Sequence, residues 1–204
     1  MDEIVRQAMA KWPKVPHCYG WLALDARGLW RMRDERAQAL GLPGETIRHP
    51  ALLAFIQRNY AMDERGCWFF QNGPQRVFID LALTPFIVHS DPAQGLVLQT
   101  GEVLGQIDAV WLTDQAHLLL ESDGKLACMD DRDWLGCLDQ LCYQEQALTE
   151  DYLTTWLELA YQHGTPSQDL LWNGLTVQAI AEHDLERRFG FQRQPRPIKA
   201  NEPD

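Results

Sequence analysis

The chain has 204 residues, 46% of them hydrophobic, which is enough to build a sizeable core in one large domain or two small ones. A net charge of −11 argues against a phosphate-tracking face, so nucleic acid is not an expected partner. No apolar stretch approaches the roughly 20 residues that span a bilayer, and Asp2 and Glu3 stand where a secretion signal carries positive charge. No membrane segment or signal peptide is therefore expected. Cys18, Cys67, Cys128, Cys137 and Cys142 share no repeated spacing, which suggests free thiols and a cytoplasmic protein.

In chain order, Ile4, Val5, Ala8, Met9 and Trp12 follow helical spacing, and Pro13 and Pro16 end that helix. "YGWLALDARGLWRMRDE" reads as a hairpin turning at Asp25–Gly28. Pro50 opens a helix whose face carries Leu52, Leu53, Ile56 and Tyr60. "WFFQNGPQRVFIDL", residues 68–81, reads as two strands around a tight turn at Asn72-Gly73. Pro85 follows, so that strand is expected to leave its sheet or run along an edge there.

Further strand is expected over 95–112 with a turn near Thr100–Gly101, then a hairpin turning at Ser122–Gly124. From Asp131 the spacing of Trp134, Cys137, Leu138, Leu141 and Cys142 predicts a helix with a buried stripe. Thr149 is placed to cap a second helix carrying Tyr152, Leu153, Trp156 and Ala160, with Gly164 as its stop. A third short helix is expected over 176–188, and the last fifteen residues read as a mobile tail.

The fold class expected is α+β, with antiparallel sheets built from repeated hairpins, packed with helices, plus a helical C-terminal segment. The expected divisions are a helix, hairpin and helix subdomain over 1–62 and a mainly β subdomain ending in a helix over 63–145. C-terminal helices over 146–190 and a flexible tail over 191–204 complete it. "DARGLW", "DERGCW" and "ESDGKL" place Gly28, Gly66 and Gly124 after an acidic start, consistent with one hairpin unit used three times.

Charge is uneven. Eleven acidic residues lie between Asp108 and Asp151, against Lys125 and Arg132; five basic residues and no acid lie between Arg187 and Lys199. The acidic stretch reads as a solvated face, or as a surface onto which the basic tail docks.

Taken together, "DARGLW", "IRHPALLAFIQRNYAMDERGCWFF", "VFIDLALTPFIVH", "LVLQTGEV" and "HLLLESDGKLACMDDRDWLGCLDQL" resemble, in order and spacing, a proteobacterial family of unknown function. The likeness covers roughly residues 19–142, with Thr84, Pro85, Phe86 and Thr100 at its hallmark places. The resemblance implies two small α+β domains built from a repeated sheet-and-helix motif, and a role in signalling. It carries no catalytic residues. The acidic "MDDRDW" linker and the extra C-terminal helices depart from the family.

The chain lacks GxSxG, GxxxxGK[ST] and GxGxxG, and Ser90, Ser122 and Ser167 lack the glycine setting of an exposed nucleophile. Cys137 and Cys142 fall on a helix face rather than on metal-binding turns, so no metal ligand is assigned. Asp130, Asp131 and Asp133 precede a helix, where acids complement the dipole, and capping is their expected role. No catalytic residue and no cofactor is assigned.

Gln71, Gln75 and Arg76 crowd the 68–81 turn with hydrogen-bonding side chains. Arg58, Asn59, Trp68, Asn72, Gln75 and Arg76 form the candidate site, for a small anionic or polar ligand or a protein partner, because guanidinium forks pair with carboxylates and phosphates. The simpler reading is a capped helix end and a solvated hairpin. The expected function is a non-enzymatic cytoplasmic binding module in bacterial regulation or signalling, with a homodimer left open. The alternative is a hydrolase-like enzyme, cysteine- or carboxylate-based, whose site draws on distant residues such as Cys67, His49 and Asp80.

Overall fold

A computed structural model describes residues 2–143, 146–163 and 170–197. The chain divides into two units: Met1–Asp25, Leu29–Leu83 and the residues from Gly190 form unit 1, and Ala26–Gly28 with Thr84–Phe189 form unit 2. Each has its own sheet, and the α+β class follows from both.

Unit 1 runs α1 (Glu3–Lys11), β1 (Cys18–Leu24), β2 (Trp30–Met32), α2 (Glu35–Ala39), β3 (Glu45–Thr46), α3 (Pro50–Arg58), β4 (Tyr60–Met62), β5 (Trp68–Asn72) and β6 (Gln75–Leu81). The sheet order is β3-β2-β1-β6-β5-β4. Most neighbours are antiparallel, but β1 and β6 run parallel, pairing Leu22 with Ile79 and Leu24 with Leu81. Between Cys18 and Leu22 the register slips at a bulge that contains Gly20 at φ +78°. Pro50 starts α3 and the His49 ring accepts the Leu52 N–H; Ile56, 1% exposed, anchors the helix.

Unit 2 runs β7 (Phe86–Asp91), β8 (Gly95–Leu98), β9 (Ala109–Thr113), β10 (Leu118–Ser122), β11 (Lys125–Met129), α4 (Trp134–Leu138), β12 (Leu141–Tyr143), β13 (Gln146–Ala147), α5 (Glu150–His163), β14 (Leu170–Trp172) and β15 (Leu175–Ile180). A 3-10 turn (Glu182–Asp184) and α6 (Leu185–Phe189) follow. Nine strands form its sheet in the order β13-β12-β14-β15-β9-β10-β11-β7-β8, with parallel pairs β11–β7 and β15–β9. The core is the run of fully buried side chains of Leu112, Leu118, Leu119, Leu120 and Ala127. Tyr161 of α5 locks the β9–β15 seam: its hydroxyl donates to the Leu112 carbonyl at 2.6 Å and accepts the Ile180 N–H at 3.0 Å. Thr149 caps α5, its hydroxyl accepting the Tyr152 N–H.

Four elements differ from expectation. Tyr60, expected on the face of the Pro50 helix, instead begins β4 opposite Phe70, because α3 ends at Arg58 with Asn59 as its C-cap. The helix expected from Asp131 ends after five residues, with Gly136 inside it, and Leu141–Tyr143 instead pair with β14. The helix expected over 176–188 begins as strand β15, because Asn173 (φ +48°) and Gly174 (φ +81°) make a two-residue turn pairing Trp172 with Leu175. Only Leu185–Phe189 is α-helical there. The start of the expected tail is held to unit 1: Phe191 is buried, the Gln192 N–H reaches the Gly66 carbonyl, and the Leu81 N–H reaches the Arg193 carbonyl. Gly164, Ser167 and Lys199 lie outside the described residues. Among the described residues, no helix is long and apolar enough to cross a membrane.

The recurrent turn is chemically specific. In Asp25–Leu29 and Asp63–Cys67 the aspartate N–H bonds the carbonyl four residues on, and its Oδ1 accepts that residue's N–H at 2.8 and 2.9 Å. "ESDGKL" is instead a two-residue turn with positive φ at Asp123 and Gly124. The matching turn in unit 2 is Thr113–His117, where the Thr113 hydroxyl accepts the His117 N–H and Ala116 takes the positive φ.

Candidate functional site

The β5–β6 hairpin pairs Asn72 with Gln75, so its turn residues are Gly73 and Pro74 rather than Asn72 and Gly73. Gly73 supplies the positive φ at the first position, and the fixed φ of Pro74 suits the second. Strand alternation then divides the side chains. Trp68, Phe70, Asn72, Gln75 and Val77 face the side of α3. Phe69, Gln71, Arg76 and Phe78 face the other way.

That second face carries an aromatic cluster covered by cations. Phe69 and Phe78 are buried with Cys67, and Tyr19 stacks on Phe78 at 4.6 Å. The Arg76 guanidinium lies 4.6 Å from the Phe69 centroid, and that of Arg65 lies 5.6 Å from Phe78. Arg65 is bound to Asp63 at 3.2 Å. Arg76 has no carboxylate partner among the described residues.

Arg76 lines a cavity of about 330 Å³ with Met9, Pro13, His17, Gln71 and Pro74. Gln71 is 1% exposed and stands directly opposite Arg76 in the ladder. Its side-chain nitrogen donates to the Gly73 carbonyl at 2.9 Å, while its side-chain oxygen accepts no hydrogen bond from the described residues. A buried acceptor left unpaired is costly and calls for a donor. The His17 ring meets Phe78 edge-on at 5.7 Å. Partial burial, with Arg76 and Arg65 nearby, lowers its pKa below the ordinary 6.5 and favours the neutral ring.

The six residues singled out from sequence do not converge. Arg58 pairs with Asp2 at 3.3 Å in a half-exposed bridge. Asn59 is buried at the end of α3, where its amide takes the Asp2 N–H and donates to the Phe55 carbonyl. Trp68 packs against Tyr60 at 4.6 Å. The Gln75 amide donates to the Pro16 carbonyl, tying the hairpin to the segment that carries His17. Asn72 lines a separate, apolar cavity on the α3 side. Arg76 alone belongs to the polar cavity. Of its partners, Gln71 had a signal in the sequence: it shares a strand face with Phe69, and a polar residue on an apolar face marks such a place, whereas His17 had none.

The residues named for catalysis are engaged elsewhere. Burial pushes the Cys67 thiol up and so opposes the thiolate. His49 caps α3, and Asp80 is bridged by Arg33 at 2.7 Å and Arg196 at 3.1 Å. Arg196 thus pairs within unit 1 rather than with the acidic stretch. The Asp130 cluster does not cap α4. Asp130 clamps the Arg132 side chain and N–H, Asp131 takes a two-pronged bond from Arg27, and Asp133 accepts the Ser90 N–H at 2.7 Å.

Residues 1–196 match a family model described as "Protein of unknown function (DUF2946)". The chain belongs to this family. Among curated proteins, none matches. Two solved structures are similar. One, a DUF1285 family protein from Silicibacter pomeroyi DSS-3, is 14% identical, with 92% of this chain and 100% of that one covered, at a TM-score of 0.47. The other, a DUF1285 family protein from Shewanella baltica OS155, is 16% identical, with 57% of this chain and 88% of that one covered, at 0.38.

Proposed function

We propose that the protein is a non-enzymatic binding module for a small anionic or polar ligand, held in the cavity between Arg76, Gln71 and His17. The observation that carries this reading is one juxtaposition. An arginine and a buried amide oxygen, the one without a carboxylate partner and the other without a donor among the described residues, stand opposite each other and line the same space. A ligand with an anionic oxygen for the guanidinium and an N–H or O–H for Gln71 satisfies both. A neutral His17 beside them can donate or accept. The five free thiols support a reducing compartment, as in the cytoplasm, and the sequence resemblance supports a regulatory or signalling setting.

Native mass spectrometry of freshly purified protein tests the reading. An adduct on the order of a few hundred daltons, matching the cavity size, is expected. It should vanish in Arg76→Ala and persist in Arg58→Ala. An adduct indifferent to Arg76, or a bare chain that no small carboxylate or phosphate stabilises against heat, overturns it.

A further inference from the structure

The α3 side of the unit 1 sheet holds a second cavity, of about 250 Å³, that the polar-ligand reading does not use. Leu52 and Ile56 of α3 face Phe70 and Val77 of the strands across it, and Trp21 stands on its wall. It is open along one edge, where Trp21 and Met32 are 44% and 51% exposed, over an apolar floor. The helix above it is nonetheless well seated, since Ile56 is 1% exposed. The groove therefore runs beside a seated helix rather than under a loose one.

Two features say what it suits. Trp21, beside the β1 bulge, remains 44% exposed, so a large ring is available for stacking where the bulge opens the sheet. Asn72 is the polar side chain of the lining, and its amide makes no hydrogen bond to another described residue. A cavity of about 150 Å³ with aliphatic and aromatic walls accepts benzene. A larger one walled by Phe70 and Trp21 has room for a fused second ring, and aromatic walls favour flat rings through offset and edge-on contacts.

We propose that this cavity is a binding site for a flat, indole-sized aromatic molecule whose N–H or O–H group bonds the Asn72 amide. It lies on the opposite sheet face from Arg76 and does not depend on the anionic-ligand reading.

Indole titrated into the full chain with labelled methyl groups tests it. Saturable NMR shifts are expected at Ile47, Leu52, Ile56 and Val77, with a matching change in tryptophan fluorescence and no shifts in unit 2. Leu52→Trp fills the cavity and should weaken binding about tenfold or more; if that variant does not fold, Met32→Trp plugs it from the wall. Asn72→Ala should erase the preference for indole over N-methylindole, and Arg76→Ala should leave the titration unchanged. Shifts that never saturate, shifts scattered over both units, or octanoate saturating these methyls where indole does not would each overturn the proposal.

Discussion

The Arg76 guanidinium lies over Phe69, 4.6 Å from its centroid, so that one side chain both covers an aromatic cluster and lines a cavity. The two roles separate by substitution. Arg76→Ala should cost about 0.5–2 kcal/mol, the range of a partly desolvated cation–π contact, and should abolish ligand capture. Arg58→Ala removes an exposed ion pair and should change neither. Urea denaturation of both variants alongside ligand titration checks this.

His17 should make unit 1 sensitive to mild acid. Its folded pKa lies below the unfolded 6.5, so as pH falls through that window the unfolded chain takes up the proton first and stability declines. Stability is therefore complete above 6.5 and lost as pH drops toward the folded value. His17→Gln should flatten the change in urea midpoint between about pH 7.5 and pH 5. An anion bound at Arg76 opposes the shift, so ligand affinity should rise over the same window.

Thiol chemistry should sort the cysteines by burial. Burial pushes Cys128 up to about 12 and Cys137 up to about 11, and raises Cys67 as well. Cys18 and Cys142 are half-buried. Mass spectrometry after brief alkylation at neutral pH should find label on these two first, with the other three reacting only on unfolding. Fast labelling of Cys67 would revive a cysteine-based enzyme.

Tyr161→Phe should cost about 1–3 kcal/mol, because it strands the Ile180 N–H and a buried carbonyl at the β9–β15 seam. The loss should appear in amide exchange as faster opening of β15 than of β10.

Gly66→Ala should hurt more than Gly73→Ala. Both glycines hold positive φ, worth about 1–2 kcal/mol to a side chain. A Cβ at Gly73 meets nothing within 4 Å, whereas one at Gly66 lands 2.2 Å from the Gly190 carbonyl. Comparing melting temperatures isolates the steric part.

The mixed helix-and-sheet class and most strands of unit 1 were legible, because alternation from Phe69 to Leu81 and the proline-led helix at Pro50 are local signals. The third copy of the aspartate turn was hidden because Thr113 and Ala116 stand where Asp and Gly stand elsewhere. β15 runs where a helix is expected, although Asn173-Gly174 is a hairpin signal in the sequence. The candidate site was half legible. Arg76 and Gln71 were visible at the turn, but their facing each other was not, because a turn placed one residue early does not set Gln71 opposite Arg76, and His17 arrives from a distant segment.

The last segment of unit 1, from Gly190, is separated from the rest of it by Thr84–Phe189 of unit 2. Phe191 fills a buried place in unit 1, and Arg193 supplies the carbonyl that the Leu81 N–H needs. A ribosome that has translated as far as Phe189 therefore holds a first unit with an open seat and an unpaired strand margin, the kind of edge that recruits other chains. How fast unit 2 is synthesised and compacts sets how long that margin stays exposed. The nascent chain's exposure to misassembly thus depends on residues that lie outside its finished first unit.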